Sequence, residues 1–424
     1  MSLLKKTVYL SVVVTVFGFA LSKAPTVKVA DFSVINAHAT NVESAPDVKH
    51  RFASADMTAF VHSASITALP NGGAIAAWFA GSREGAADVQ IRASQFDPRA
   101  DEWSQERVLA TRIGTQTAVR KHVRKLGNPV IALSPNNRLW LFYVSVSVGG
   151  WAGSAVNVMY SDDLGTTWTA PRQLVTTPFF NLSTLVRSTP VFHTDGSIGL
   201  PIYHEFMGKF AEYLYLNSNG EVVDKFRISK GKHSLQPTIV AQNGREAVAL
   251  LRYAGERYHR VLASRTTDSG RHWTEPQPVE PSNPNSSLAA VGRDNGKLLV
   301  AMNDLEDGRF RLTLYETDKE MRDWTLISHV DESPDPWGDP IDQTAFHAKI
   351  GEAWAARGST LPQTKHAMLS RVSERMCESG KCRFEYEYPY FTRDTSGRYH
   401  LVYSWNDTFI KHVSFSDAWV EGKK

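Results

Sequence analysis

Short runs of apolar residues alternate with turn-forming residues along most of the chain. Ser65–Leu69 and Ala74–Phe79 flank Asn71-Gly72, a strong signal for a β-hairpin turn. Long helices with an apolar stripe every 3.6 residues are not predicted. The pattern therefore predicts a chain of short strands and tight turns. Further strand-like runs are Val130–Leu133, Leu139–Val146, Ser197–Tyr203, Tyr213–Leu216, Ala247–Leu251, Leu298–Met302, Arg311–Tyr315 and His400–Tyr403.

One turn motif occurs twice between such runs. Ser161–Trp168 reads Ser-Asp-Asp-Leu-Gly-Thr-Thr-Trp, and Thr266–Trp273 reads Thr-Thr-Asp-Ser-Gly-Arg-His-Trp. The Asp can accept backbone hydrogen bonds, the Gly supplies a left-handed conformation, and the Trp buries a large apolar face. Two further hairpins, ending at Trp103 and Trp324, lack the glycine. We interpret the four as structural staples of a repeated four-stranded unit, which predicts a β-propeller.

The segment Asp331–Gln363 interrupts this rhythm with several Pro and Gly residues. We expect a long loop there, with a short helix near Ala345–Ala356, that shapes the rim of a site. Residues 24–48 have little periodicity and predict a linker or a first strand.

The N-terminus has the pattern of an export signal. Lys5 and Lys6 precede an apolar run from Thr7 to Leu21, which is closer to a signal-peptide core than to a membrane span of about 20 residues. Both cleavage and retention as a membrane anchor stay open. We therefore expect a signal or anchor at residues 1–24, a linker at 25–48 and a propeller at 49–420, located in the periplasm, secreted or held at the membrane.

Composition adds two constraints. The net charge of +3 over 424 residues comes without a basic run, which argues against nucleic acid as a partner but allows a small anionic substrate. The only two cysteines, Cys377 and Cys382, enclose Glu-Ser-Gly-Lys and predict a disulfide across a small loop. No cysteine–histidine cluster is visible, so no metal site is predicted.

Taken with the repeats, an ordered set of motifs resembles the sialidase superfamily, in particular its bacterial branch of predicted neuraminidases with BNR-like repeats. The resemblance covers about His62 to His412. It implies an all-β, six-bladed β-propeller with a central glycan site and no cofactor. The motifs are His62-Ser-Ala-Ser-Ile, Trp78-Phe-Ala-Gly-Ser-Arg-Glu-Gly, Gly127-Asn-Pro-Val, Gln236-Pro-Thr-Ile-Val, Asn283-Pro-Asn-Ser and Tyr386-Glu-Tyr-Pro.

The resemblance implies a carboxylate bound by three arginines, whose planar forks pair with it bidentately. Arg252 matches the second arginine, and Arg309 matches the third, with Arg311 as the neighbouring alternative. The position of the first reads His62, which can bind an anion when protonated. Arg83 resembles a further arginine of the family.

Two other polar positions are candidates for contact with sugar hydroxyls. Asn128 belongs to an Asn-Pro motif, which serves equally well as a turn device. Gln236 stands where the family has a Glu that deprotonates the nucleophile. Which residue replaces that Glu is left open among His204, Glu205, His233 and Glu387.

The same resemblance implies an acid and a nucleophile. Asp88 is the first candidate for the general acid and Glu84 the second. The family nucleophile is a tyrosine, an exception to the usual pair of carboxylates. Tyr386 is the candidate for it, with Tyr388 as the competitor.

These residues predict an exo-glycosidase that hydrolyses a terminal acidic keto-sugar, such as sialic acid or Kdo, from a glycan, with an accessory subunit left open. One alternative is a uronate polysaccharide lyase, in which Arg neutralises a carboxylate while His or Tyr removes a proton. The other is a non-catalytic glycan-binding propeller.

Overall fold

The structure, a computed structural model, describes residues 3–22, 27–34, 45–56, 59–177, 181–206, 208–231, 233–358, 361 and 364–424. Residues 24–26 and 35–44 of the predicted linker lie outside this range, as do residues 359, 360, 362 and 363 of the predicted rim loop.

The described chain is predominantly β-structure, which confirms the all-β prediction. Its helices are α1 (Leu3–Ser22), α2 (Arg112–Val119), α3 (Gln343–Ala356), α4 (Lys365–Met376) and α5 (Asp417–Glu421), with a 3-10 turn at Gly150–Gly153. Its strands are β1 (Val48–Phe52), β2 (Phe60–Ala68), β3 (Ala74–Gly81), β4 (Gln90–Asp97), β5 (Glu102–Trp103), β6 (Arg107–Thr111), β7 (Lys125–Leu133), β8 (Leu139–Val146), β9 (Ser154–Ser161), β10 (Arg172–Gln173), β11 (Leu185–Val186), β12 (Val191–Phe192), β13 (Ile198–His204), β14 (Phe210–Leu216), β15 (Val222–Arg227), β16 (Ser234–Ala241), β17 (Ala247–Tyr253), β18 (Arg260–Thr266), β19 (Gln277–Ser282), β20 (Leu288–Gly292), β21 (Leu298–Met302), β22 (Arg311–Thr317), β23 (Trp324–Glu332), β24 (Ile341–Asp342), β25 (Cys377–Glu378), β26 (Lys381–Cys382), β27 (Tyr386–Arg393), β28 (Tyr399–Trp405) and β29 (Phe409–Phe415).

Six antiparallel sheets of four or five strands follow one another through the described residues. Sheet I is β2-β3-β4-β5 with β6 beside β4, and sheet II is β7-β8-β9-β10. Sheet III is β11-β13-β14-β15 with β12 beside β13, followed by sheet IV (β16 to β19) and sheet V (β20 to β23). Sheet VI is β27-β28-β29-β1, so a strand from before sheet I completes the last sheet. Each sheet contacts the next, and β27 of sheet VI contacts β2 of sheet I.

An unusual backbone conformation marks the first strand of each sheet, within the strand or just before it. In four of them a β-bulge interrupts the pairing with the second strand. A residue with a left-handed backbone lies in or just before every one of the six strands: Ser63, Asn128, Ser183, Gln236, Asn285 and Tyr388. Bulges re-aim side chains and are common beside active sites. Three of these residues precede a proline, which has no N–H to donate and is tolerated at a bulge.

The two complete turn motifs form the same hydrogen bonds. In the first, Asp163 accepts from the Thr167 backbone N–H at 2.8 Å, and the indole N–H of Trp168 donates to the Gly165 carbonyl at 3.1 Å. In the second, Trp273 donates to the Gly270 carbonyl at 2.8 Å. Both motifs connect the third and fourth strands of their sheets, as the staple interpretation predicts.

The two incomplete hairpins differ from each other. Trp324 donates to the carbonyl of Met321 at 3.0 Å, and Met321 itself has a positive φ of 60°, so the bond survives without glycine. Trp103 instead donates to Nδ1 of His412 at 3.1 Å, which links sheet I to sheet VI.

The segment predicted as a long loop contains more regular structure than expected. Helix α3 begins at Gln343, where Asp342 caps it by accepting from two backbone N–H groups, and it covers the helix predicted near Ala345–Ala356. Helix α4, which begins just after this segment, was not predicted. Cys377 and Cys382, on the neighbouring strands β25 and β26, form a disulfide.

Helix α1 exposes much of its apolar surface. Among the helices that the structure describes, we find none with both the length and the apolar character that a membrane crossing requires.

Candidate active site

Tyr388 lies at the centre of the candidate site, where the first strands of the sheets begin. Its backbone is left-handed, with φ of 51°, and Pro389 follows it in the bulge of β27. The His62 ring meets the Tyr388 ring edge-on, with centroids 4.5 Å apart. On another side, the guanidinium carbon of Arg187 lies 5.1 Å from the Tyr388 ring centroid. The two contacts come from sheets I and III, so the tyrosine is enclosed by separate parts of the chain.

Arg252 and Arg309 converge beside this tyrosine. Nε of Arg252 donates to the Asn285 side-chain oxygen at 2.7 Å, and Nη2 of Arg309 donates to the Asn285 carbonyl at 3.3 Å. Both arginines are partly exposed. Two guanidinium groups that share one neighbour and remain open to solvent can bind a small carboxylate.

His62 lies in an ion-pair network. Its Nε2 is 3.4 Å from a carboxylate oxygen of Glu387, and its Nδ1 is 3.5 Å from one of Asp407. Arg309 contacts the other oxygen of Glu387. Burial opposes a charge on His62, but Asp407, Tyr388 and Glu84 outweigh burial and raise the pKa of His62. His62 is therefore suited to be a cation rather than a base.

His62, Glu387 and Asp407 each bring one donor atom within 4.8 Å of the others, a grouping that can hold a metal ion. However, the Arg309 guanidinium already binds Glu387. A metal ion would also need an unprotonated His62, whereas the raised pKa of His62 favours its protonated form, so we interpret the group as an ion-pair network.

The surroundings of Tyr388 favour its ionised form. Burial alone would raise the pKa of a tyrosine, but Arg252, His62 and Arg309 outweigh burial and lower the pKa of Tyr388, against opposition from Glu84. A tyrosine that loses its proton more readily is a better nucleophile.

Tyr386, the tyrosine favoured by the sequence, does not fit the role of nucleophile. Its ring packs in the hydrophobic core against Phe384, with centroids 6.1 Å apart, and only 1% of the residue is exposed. Burial, together with Asp331 and Glu332, raises its pKa well above the ordinary value. The competitor Tyr388 lies in the site because the bulge turns its side chain towards the arginines.

The loop after β3 separates the two candidate acids. Asp88 accepts from the backbone N–H and the hydroxyl of Ser82, at 3.0 and 3.1 Å, so its carboxylate holds the loop together. Glu84 is exposed and close enough to raise the pKa of both His62 and Tyr388. The first choice, Asp88, therefore has a structural explanation, and Glu84 is the better placed acid.

A cluster of positive charge flanks the same loop. Arg83 is exposed, and together with Arg124 it lowers the pKa of Lys125, after the larger effect of burial. The ammonium of Lys125 lies 3.9 Å from the ring of Trp151. Lys125 and Trp151, which sequence reasoning did not single out, border the loop that carries Glu84.

Asn128 and Gln236 are engaged within the protein. Asn128 is buried, accepts from the Ser63 hydroxyl at 3.2 Å and donates to the Tyr203 hydroxyl at 3.1 Å. Gln236 is buried and accepts from Arg252 at 3.4 Å. Direct contact with sugar hydroxyls, expected from the sequence, does not fit these surroundings, and both residues instead connect neighbouring strands.

The four substitutes considered for the family Glu differ in their surroundings. Glu387 belongs to the network with His62, and Glu205 has a pKa raised mainly by burial. The His204 ring stacks on Phe210 at 4.6 Å, and the His233 ring lies edge-on to Tyr253 at 6.4 Å. Within the described residues, none of the four forms a hydrogen bond with the Tyr388 hydroxyl.

Two further residues of the site were not predicted. Arg187 interrupts an apolar run directly after β11, and Asp407 follows Trp405-Asn406 at the end of β28. A lone Arg or Asp in such a place is usually a surface group, so only the three-dimensional arrangement singles them out.

The chain matches a family profile described as BNR repeat-like domain over residues 72–401. A search of curated proteins finds no match. Among solved structures, similar folds include a Hadza microbial sialidase, Hz136, with a TM-score of 0.59 and 14% identity, over 84% of this chain and 66% of that protein.

Two other similar structures come from named bacteria. The Streptococcus pneumoniae NanB sialidase has a TM-score of 0.60 and 9% identity, over 94% of this chain and 72% of that one. The Ruminococcus gnavus intramolecular trans-sialidase, described in complex with oseltamivir carboxylate, has a TM-score of 0.59 and 12% identity, over 87% and 97%. At these identities the likeness shows the fold alone.

Proposed function

The chain belongs to the BNR repeat-like domain family of the sialidase superfamily, and from this premise we propose that it hydrolyses a terminal acidic keto-sugar from a glycan. The scaffold of the proposal is a six-bladed β-propeller. Six consecutive sheets, each in contact with the next and the sixth in contact with the first, support that architecture.

One observation carries the proposal. Arg252 and Arg309 meet on Asn285, partly open to solvent, and both act electrostatically to favour the ionised form of Tyr388. Two arginines are suited to hold the carboxylate that sialic acid and Kdo carry on the anomeric carbon. The site therefore suits an acidic keto-sugar better than a neutral one.

The proposed reaction has two steps. In the first, Tyr388, which has lost its phenol proton to solvent, bonds through its oxygen to the anomeric carbon, the glycosidic C–O bond breaks, and Glu84 gives its proton to the leaving oxygen. In the second, water attacks the anomeric carbon, Glu84 takes a proton from that water, and the C–O bond to Tyr388 breaks. The products are the free acidic sugar and the shortened glycan, and the enzyme returns to its starting state.

The proposed location is outside the cytoplasm, in accordance with the N-terminal pattern. The disulfide between Cys377 and Cys382 supports an oxidising compartment. N-terminal sequencing of the protein recovered from fractionated cells would separate a cleaved signal from a retained anchor.

The test incubates the full chain with glycans that end in sialic acid, Kdo or a uronate, and follows the products by mass spectrometry and ultraviolet absorbance. We expect release of a hydrated acidic sugar. Tyr388→Phe should reduce the rate by on the order of 10³-fold or more, because the nucleophile is lost. Tyr386→Phe, the matched control two residues away, should keep the wild-type rate.

Arg252→Met should lower kcat/KM by roughly 10- to 100-fold, the effect of losing one charge-assisted contact with the carboxylate. An unsaturated product would assign the protein to the lyases instead. Saturable binding of a glycan without any product, unchanged in Tyr388→Phe, would make it a glycan-binding propeller.

A further inference from the structure

Arg187 is a buried charge that has no carboxylate partner among the residues that the structure describes. Only 2% of the residue is exposed, and Nη2 donates to the carbonyls of Tyr388 and Pro389 at 2.6 and 3.2 Å. Its Nε and Nη1 have no hydrogen-bond acceptor among the described residues. Burial lowers the pKa of Arg187 to about 10. A buried charge without a counter-ion is costly, so its surroundings should provide compensation.

The groups that face this guanidinium are aromatic rings. Its carbon lies 5.1 Å from the ring centroid of Tyr388 and 5.4 Å from that of Tyr390. Burial, as the main cause, raises the pKa of Tyr390 and of the neighbouring Tyr203, so these two phenols stay neutral. Of the three, Tyr388 alone has surroundings that favour a negative charge.

Three more cations surround Tyr388 from other sheets. His62 comes from β2, Arg252 from β17 and Arg309 from the loop before β22. The acidic groups near Tyr388 oppose them in part: Glu84 acts electrostatically against the ionised phenol, whereas Glu387 and Asp407 are held by Arg309 and His62.

The residue at position 236 bears on how Tyr388 could lose its proton. It stands where the resemblance leads one to expect a Glu that would take the tyrosine proton, and an amide cannot do so. Gln236 instead accepts from Arg252 at 3.4 Å and adds no negative charge beside that arginine. A carboxylate at this position would offset one of the cations that stabilise a phenolate.

We propose that Tyr388 is held as a phenolate in the resting protein by a cage of four cations, Arg187, Arg252, Arg309 and His62, which replaces the base missing at Gln236. The proton goes to solvent before substrate binds, so no side chain has to accept it. Arg187 is the positioning residue, because it holds the Tyr388 carbonyl in the left-handed bulge and stacks its charge on the ring. The use of this phenolate as a nucleophile rests on the proposed function, but its existence does not.

The test is an ultraviolet titration of tyrosinate in the full chain, without substrate. The wild type should ionise one tyrosine well below the ordinary tyrosine pKa of about 10, ahead of the other thirteen of its 14 tyrosines. That early transition should be absent in Tyr388→Phe and present in Tyr386→Phe. Identical titrations of the wild type and Tyr388→Phe up to about pH 9 would overturn the proposal.

Two further variants test the cage itself. Arg187→Met should move the early transition up by about one pH unit or more, while Arg187→Lys, which keeps the charge, should move it less; circular dichroism checks that each is folded. Gln236→Glu should also move it up. If the glutamate variant instead ionises at lower pH, the cage does not replace a base. Because no substrate is present, a failed proposal on function leaves this result unchanged.

Discussion

At the scale of single residues, the loop after β3 carries two carboxylates that differ in what already binds them. Asp88 receives two hydrogen bonds from Ser82, so its oxygens are committed to the loop. Glu84 is exposed and acts electrostatically on His62, Tyr388 and Lys125, which lie on three different strands. A general acid must reach the leaving oxygen of a bound substrate; both residues are exposed, but the carboxylate of Asp88 is held by Ser82.

Glu84→Gln should therefore lower kcat by about 10²- to 10³-fold, the usual loss when an acid–base group is removed. The loss should be smaller for a substrate with an acidic aryl leaving group, which needs little protonation. Asp88→Asn, the matched control on the same loop, should retain most of the activity. Steady-state kinetics on both substrate types measure this, and equal losses in the two variants would contradict the assignment.

How far the site could be predicted depends on the residue. Arg252 and Arg309 were recognised from motif position, and they lie together. The sequence could not separate Tyr386 from its competitor Tyr388, because in a regular strand the two share a face and only the bulge in β27 gives them different directions. Arg187 gave no signal, because one arginine after a short apolar run has many ordinary explanations.

At the scale of elements, the turn motifs act as fixed connections between the third and fourth strands of a sheet. The first motif also contacts the neighbouring sheet. Gly165 has φ of 92°, and a Cβ there would lie 3.1 Å from Arg107 Nη2 and 3.3 Å from the Ile75 side chain, both in sheet I. The glycine thus serves both the turn and the close approach of two sheets.

Gly165→Ala should destabilise the protein by about 1–3 kcal/mol, from backbone strain and crowding together. Gly296→Ala is the matched control, because its φ is 79° but a Cβ would meet nothing within 4 Å. It should cost only the strain, about 1 kcal/mol. Urea unfolding compares the two, and an equal loss would show that the contact between sheets contributes nothing.

The elements that the sequence predicted are those with strong local signals. The Asn71-Gly72 hairpin and the two complete Asp–Gly–Trp turns are specified by a few adjacent residues. Helix α4 was missed because only two of its residues, Met368 and Val372, are buried, which is too few to form a continuous apolar stripe in the sequence. These two residues pack in the same hydrophobic core cluster as the buried residues of α3. The bulges were missed because they depend on contacts between strands that are distant in sequence.

At the scale of the whole molecule, the two ends of the described β-structure close on each other. Strand β1 pairs with β29, from Val48 opposite Phe415 to Phe52 opposite Lys411. Beneath this pairing, Trp103 donates to Nδ1 of His412 at 3.1 Å, and Nε2 of His412 faces Nδ1 of His400 at 3.0 Å. Because Nδ1 of His412 accepts a hydrogen bond, its proton must be on Nε2, and the ring is neutral.

This closure makes stability depend on pH. Burial, followed by the nearby His400, Arg51, Arg398 and His50, lowers the pKa of His412 well below its ordinary value. In the unfolded chain the same ring takes up a proton near pH 6.5, while the folded protein excludes it. The unfolded state therefore binds more protons as the pH falls below about 6.5, and stability decreases with acidity in that range.

We expect the exclusion of a proton from His412 to lower the free energy of unfolding by about 2 kcal/mol between pH 7 and pH 5. His50, whose pKa burial lowers to about 4, should act in the same direction. His412→Gln keeps an acceptor for Trp103 and a donor for His400 but cannot take up a proton. Between pH 7 and pH 5, its free energy of unfolding should therefore fall by about 2 kcal/mol less than that of the wild type. The exposed His366→Gln controls for loss of an imidazole. Urea unfolding at both pH values measures the effect. An acid loss in His412→Gln equal to that of the wild type would mean that the closure does not exclude the proton.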